Sequence, residues 1–173
     1  MDLDPHEWWP TRFVFESSEH HVRCAYAIIL AYSVLEEISL EMRASREAPS
    51  MVGGKWNPKV KKELESRLTQ AGIGLSETVL WTIRDTPTKI ERTRSLDIRS
   101  KARWSNWKVR DSEVEIVDAI AYASWMRSKV SAHRLRELAQ SLSYYDVSNI
   151  QHLARRLLLE VLGFWRYQRH KSA

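Results

Sequence analysis

"SEVEIVDAIAYASWMRSKVSAHR", residues 112–134, carries both the fold and the functional question. Val114, Val117, Ala121 and Trp125 recur at spacings of three and four, the period of one helix face. Ile116, Ile120, Ala123 and Val130 widen that face into the broad apolar stripe of a helix packed on several sides. Ser112 and Glu115 are spaced as a capping box, which predicts a helix opening at Ser112. The stretch then changes character, because Arg127, Lys129, His133 and Arg134 follow the apolar run. A guanidinium and an imidazole at the end of a buried helix need an explanation.

Working outward, the flanking segments also read as helices. Ser17 or Ser18 is a good N-cap for a first long helix running to about Ala44. "REAPSMVGGKWNP", 46–58, holds two Pro and two Gly and reads as a loop. Asn57 and Pro58 then open a second helix striped by Val60, Leu64 and Leu68, and Gly72 ends it. "SETVLWTIR", from Ser76, reads as a short third helix. Residues 85–107 are polar, basic and without period, the pattern of a long loop. "HRLRELAQSLS", 133–143, is a further helical segment. "SNIQ", 148–151, is a second capping box before Ile150, Leu153, Leu157, Val161 and Trp165. Residues 1–16 read as extended, with "FVF" at 13–15 packing on the core, and no run of useful length has a strand period. The expectation is a single all-α domain over 1–173: an up-and-down bundle of about five to six helices with a long basic loop.

A chain of 173 residues with 43% hydrophobic residues and eight Trp can bury a real core. The Trp at 8, 9, 56, 81, 125 and 165 read as core residues. Cys24 is the single cysteine, so an internal disulfide is impossible and a disulfide-stabilised secreted fold is excluded. The acidic start "MDLDPHEWWP" lacks the apolar stretch of a secretory leader, and a cytoplasmic location is expected. "VRCAYAIILAYSVL", 22–35, is too short to span a bilayer and runs into Glu36 and Glu37, so no membrane partner is read. The net charge of +5 is concentrated: Arg84 to Arg110 holds nine Lys and Arg against three Asp and Glu. A local surplus of this kind points to an anionic partner.

Several chemistries fall away. "VGGKW" lacks the spacing of a phosphate loop. His20 and His21 are adjacent, so they do not share a helical face as a metal pair would. Glu36 and Glu37 point about 100° apart on a helix and are no acid dyad by themselves. No metal or cofactor is expected.

What remains is Arg127-Ser-Lys-Val-Ser-Ala-His133. With "AYAIILAYSVLEEISLEMRAS" at 25–45 and "EIVDAIAYASWMRSKVSAHR" at 115–134, the chain resembles the HEPN superfamily of small helical domains. The sharp part of the resemblance is an Arg, four to six residues, then a His, at the end of an apolar helix. The resemblance implies a dimeric helical bundle, in many members a metal-independent ribonuclease used as a toxin or in defence. It implies that Arg127 and His133 are catalytic and that both chains contribute to one site. Ser128, a supporting residue, stands where active members often carry Asn, Asp or His. Arg134 and Leu135 stand where one toxin branch has Tyr, so the antitoxin partner of that branch is not implied. An acidic residue of the first long helix supports the site in some members, and Glu36 and Glu37 both qualify.

The chemistry follows from the side chains. On an unbroken helix the two residues would stand about 120° apart and roughly 9 Å along the axis. Convergence therefore requires a break, for which Ser131 is a cap, or a second copy of the chain. His133 is suited to take the proton of an RNA 2′-hydroxyl near neutral pH. Arg127 is suited to stabilise charge building on the phosphate. Arg92, Arg94, Arg99, Lys101 and Arg103 would meet backbone phosphates, and Trp104 or Trp107 would stack on an unpaired base. Two alternatives stay open: an inactive RNA- or nucleotide-binding module, and a helical protein-interaction domain whose basic segment is only a solvated loop pinned by its Trp.

Overall fold

The computed structural model describes residues 18–53, 55–83, 110–131 and 144–164. Four helices and two small antiparallel sheets lie among them: α1 Ser18–Glu37, β1 Met51–Val52, β2 Lys55–Trp56, α2 Pro58–Gln70, β3 Thr78–Ile83, β4 Arg110–Glu115, α3 Ile116–Ser131 and α4 Tyr144–Val161. The fold is mostly helical but not all-α, which corrects the expectation from sequence. Residues 1–16, the basic segment 85–107, residues 133–143 and Trp165 lie outside the described residues, and so do the helices and loops expected there.

The sheet built from β3 and β4 is the main departure. "SETVLWTIR" forms a strand rather than a helix, and Ser112 and Glu115 lie in a strand rather than capping a helix. The two strands pair from Thr78 with Glu115 to Ile83 with Arg110. Val79 and Trp81 are buried while Leu80 between them is 59% exposed, the alternation of a half-buried strand. Opposite them Val114 is buried, and Asp111, Glu113 and Glu115 are exposed. Thr, Val, Trp and Ile favour strands, and here the pairing with β4 overrides any helical reading of so short a run.

Helices α1, α3 and α4 form the core. On α1 the buried residues are Cys24, Ala25, Ile28, Ala31, Tyr32 and Leu35, a helical stripe. On α3 every residue from Ile116 to Ala123 is buried, so this helix is central. On α4 Val147, Ile150, Leu153, Ala154 and Leu157 complete the interior. The helix begins at Tyr144, not at Ser148, so "SNIQ" is helix interior rather than a cap. Val161 is 41% exposed, at the edge of the expected stripe.

Helix α1 stops at Glu37, short of the expected Ala44, and the hydrogen bonds give the reason. Leu40 N–H donates to Leu35 C=O at 2.8 Å and Ser39 N–H to Glu36 C=O at 3.1 Å, a Schellman ending with Ser39 at φ 58°. Leu40 is 1% exposed and packs beside Leu35, the apolar contact that accompanies this ending. Arg67 of α2 fastens the turn by donating from Nη1 to Ser39 C=O at 2.7 Å. Helix α2 matches its sequence reading: Asn57 Oδ1 accepts from Lys59 N–H at 3.1 Å, and Gly72 at φ 77° follows the last turn. Trp56 of the small β1–β2 sheet donates from Nε1 to Asp118 Oδ1 at 3.0 Å, tying that hairpin to the start of α3.

Candidate functional site

Arg127 sits one turn before the end of α3, half-buried beside the exposed Ser128 and Lys129. Glu36 sits at the matching end of α1. The Arg127 Nη2 lies 3.1 Å from Glu36 Oε1, with the side chains 44% and 41% exposed. The crossing of the helices sets this up. Tyr32 and Glu36 are four apart on α1, and Ser124 and Arg127 three apart on α3, so each pair shares a face. Tyr32 meets Ser124 through a side-chain hydrogen bond, and one turn further along Glu36 meets Arg127.

The electrostatics of α1 explain why a cation belongs there. Two carboxylates close a helix whose last turn has no basic residue, at the end where the macrodipole is already negative. Arg127 supplies the missing positive charge from the neighbouring helix. Of the two acids that sequence could not separate, Glu36 is the one beside Arg127; Glu37 is exposed and makes no ion pair among the described residues.

Tyr32 lies beneath the pair. It is 3% exposed, and the Arg127 Cζ is 6.0 Å from its ring centroid, within reach of a cation–π contact. Its hydroxyl accepts from Met42 N–H at 2.9 Å. Burial pushes the Tyr32 phenol above its usual range; Glu36 and Glu41 push the same way, while the hydrogen bonds from Ser124 and Met42 oppose. It is therefore a neutral, fixed platform at neutral pH. No feature of sequence spacing marked Tyr32; only the Schellman turn that swings Met42 back over α1 reveals it.

The remaining residues named from sequence fall into two groups. Ser128 is exposed and its hydroxyl donates to Trp125 C=O at 2.7 Å, a bond within its own helix. His133 lies outside the described residues, as do Arg92, Arg94, Arg99, Lys101, Arg103, Trp104 and Trp107. The strands that bracket the basic segment are described, and they bear on its attachment. Ile116 N–H donates to Glu77 C=O at 3.1 Å, and the Tyr122 ring is 5.4 Å from that of Trp81. Helix α3 thus runs in the same sense as β3, and Arg127 lies beyond Tyr122 toward the Ile83–Arg110 end of the ladder. The chain enters and leaves the basic segment at that end.

No group of three metal-ligating side chains occurs among the described residues, and no helix there is long and apolar enough to cross a membrane. The chain matches no protein-family model, no curated protein and no solved structure.

Proposed function

We propose that the chain is a HEPN-like RNA-acting protein: a metal-independent endoribonuclease, working as a homodimer in the cytoplasm, in the manner of a toxin or defence effector. In this reading the helical core belongs to an up-and-down bundle of five to six helices. The observation that carries the proposal is the half-exposed Arg127 held by Glu36 near the end of α3, six residues before His133. A guanidinium has five N–H donors in a planar fork, so a single Nη2 contact orients it without exhausting it. Its remaining edges suit a phosphate, and their alignment is fixed before the phosphate arrives.

The chemistry needs one proton acceptor and one anion stabiliser. His133 removes the 2′-hydroxyl proton, the resulting oxygen attacks the adjacent phosphorus, and the 5′-oxygen departs to leave a 2′,3′-cyclic phosphate. Arg127 stabilises the charge that develops on the phosphoryl oxygens. DNA is resistant because it has no 2′-hydroxyl. Two motifs brought together by a two-fold axis would place two guanidinium groups close to each other, a repulsion that an anion between them relieves. The basic segment, leaving the β3–β4 ladder toward the Arg127 end, suits a hold on the RNA backbone.

The test is incubation of the full chain with a mixed RNA pool in EDTA, followed by end-group analysis. Cyclic phosphate ends are expected from the wild type and neither Arg127→Ala nor His133→Ala should cleave. Cleavage by both variants in chelator would rule the site out. The second reading is an RNA- or nucleotide-binding module without catalysis. It is favoured by Ser128, whose hydroxyl is turned back onto its own helix rather than outward. Salt-sensitive RNA binding without products would select it.

A further inference from the structure

We infer that Tyr32 is a positioning residue for Arg127, acting on RNA only through the guanidinium that its ring supports; the inference rests on Arg127 being the phosphate-binding group. Three observations carry it. The ring lies under the Arg127 Cζ at 6.0 Å, while Glu36 meets the same guanidinium at 3.1 Å. One contact supports a face and the other holds an edge, and together they restrict a side chain that is otherwise rich in rotamers. The ring itself does not move. Tyr32 is 3% exposed, and its hydroxyl is fixed by the Met42 N–H at 2.9 Å and by Ser124. The platform is therefore anchored to three places at once: its own helix, the turn after α1, and α3.

Such an arrangement is more than packing demands. An Arg at the rim of a helix end needs no aromatic floor to stay solvated. A floor matters when the guanidinium must meet an anion in one orientation, because a preset fork loses less entropy on binding. The contribution to ligand binding comes from the ring face. The hydroxyl contributes by holding the ring, so the two parts of the side chain separate experimentally.

The experiment measures binding of the full-length chain to a fluorescein-labelled single-stranded RNA oligonucleotide, with inorganic phosphate as competitor, at a temperature where circular dichroism finds every variant folded. Tyr32→Phe keeps the ring and should hold the Kd within about threefold while lowering Tm. Tyr32→Leu removes the ring and should weaken binding about tenfold; Tyr32→Met, of similar bulk and also without a ring, repeats the test should the leucine variant not fold. Leu68→Ala, a buried change on α2, is the stability control and should leave the Kd within about threefold. In an Arg127→Ala background, Tyr32→Leu should cause no further loss. Weakening by Tyr32→Leu no greater than by Leu68→Ala, or a further tenfold loss without Arg127, overturns the role of Tyr32 alone. Wild-type RNA binding by Arg127→Ala overturns the phosphate-binding reading and this inference with it.

Discussion

Asn149 completes the edge of β3 in place of a third strand. Its Oδ1 accepts from Thr82 N–H at 2.9 Å and its Nδ2 donates to Thr82 C=O at 2.8 Å. A side-chain amide has the donor and acceptor of a backbone peptide, so it satisfies both groups of one residue at an edge that would otherwise be unpaired. The next contact along the same edge is ionic: Arg156 donates from Nη1 to Thr78 C=O and from Nη2 to Glu77 Oε2, the latter at 2.7 Å. Helix α4 is stitched to β3 by side chains.

Asn149→Ala leaves two Thr82 groups without these partners and should cost about 2 kcal/mol in urea unfolding, from the two missing hydrogen bonds and their partial desolvation. The Thr82 amide should exchange faster than its neighbours. Asn149→Asp keeps the acceptor for the N–H but turns a carboxylate oxygen toward the carbonyl, so it should not restore stability. A loss below about 0.5 kcal/mol in both variants would mean that water replaces the amide without penalty.

Ser39→Gly should stabilise the protein. The endings of α1 and α2 are the same motif, with Ser39 at φ 58° and Gly72 at φ 77° in the equivalent place. A side chain in the left-handed region costs roughly 1 kcal/mol that glycine avoids, less the extra entropy glycine gives the unfolded chain. A net gain of about 0.5 kcal/mol is expected, seen as a rise in the urea midpoint with an unchanged slope. No gain would mean that the bond from Arg67 to the Ser39 carbonyl already sets this conformation at no strain.

The contrast between these turns and β3 explains what sequence reading could reach. Asn57, Pro58 and Gly72 act through neighbours one to four residues away, so α2 was legible from end to end. The stripe of α3 was legible because burial on all sides leaves an unambiguous apolar run. Thr78–Ile83 was not, because Val79, Leu80 and Trp81 are consecutive apolar residues in a run of six that fits either period. The choice is made by a partner strand at 110–115. Ser112 and Ser148 illustrate the same limit: a capping box is a local pattern, and ladder pairing or an upstream extension of the helix overrides it. At the candidate site, Arg127 stands out in the sequence by its position after an apolar run. The choice of Glu36 over Glu37, and the existence of Tyr32 as a floor, depend on how α1 and α3 cross, which no spacing within either helix records.

Glu36→Gln and Glu37→Gln should separate in RNA binding but not in stability. Both acids stand at the unfavourable end of a helix dipole, and the Arg127 pair is open to water, so each change should move stability by no more than about 0.5 kcal/mol. Glu36→Gln frees Arg127 from its orienting carboxylate and should change the RNA Kd by at least threefold; Glu37→Gln should leave it unchanged. Equal effects of the two would mean that only local charge matters and not the orientation of the fork.

Stability should fall as the pH rises above 9 and further above 10. Cys24 is raised above its ordinary 9.0 by burial and by Asp146, and Tyr32 above its ordinary 10.0 chiefly by burial. Each acid holds its proton more tightly in the folded chain than in the unfolded one. Above the unfolded values the unfolded state therefore sheds protons first and is favoured, so stability present below pH 9 is lost as pH rises. Urea midpoints taken across this range should decline, and Cys24→Ala should flatten the decline from about pH 9 upward. A slope unaffected by Cys24→Ala would assign the alkaline loss to Tyr32 and other groups. The same burial makes the thiol a poor nucleophile, so it should react with iodoacetamide at pH 8 only after unfolding.

The basic segment provides the sharpest division between an RNA-acting protein and a helical interaction domain. Single-stranded RNA releases about 0.7 counterions for every phosphate neutralised, so the slope of log Kobs against log salt counts ionic contacts. Replacing Arg92, Arg94, Arg99, Lys101 and Arg103 with Gln, one at a time, should weaken binding at low salt for every sequence tested. Each side chain neutralised in this way should flatten the slope by about 0.7. If the proposed cleavage holds, Arg127→Gln should flatten it by the same amount while also ending cleavage, since in that reading its charge meets the reacting phosphate rather than a flanking one. Trp104→Ala and Trp107→Ala should weaken binding without changing the slope, since stacking releases no counterions. Were the five neutralisations to alter solubility alone, with RNA affinity and slope untouched, the segment would be a solvated connection between β3 and β4, and the anionic partner would have to be sought at Arg127 by itself.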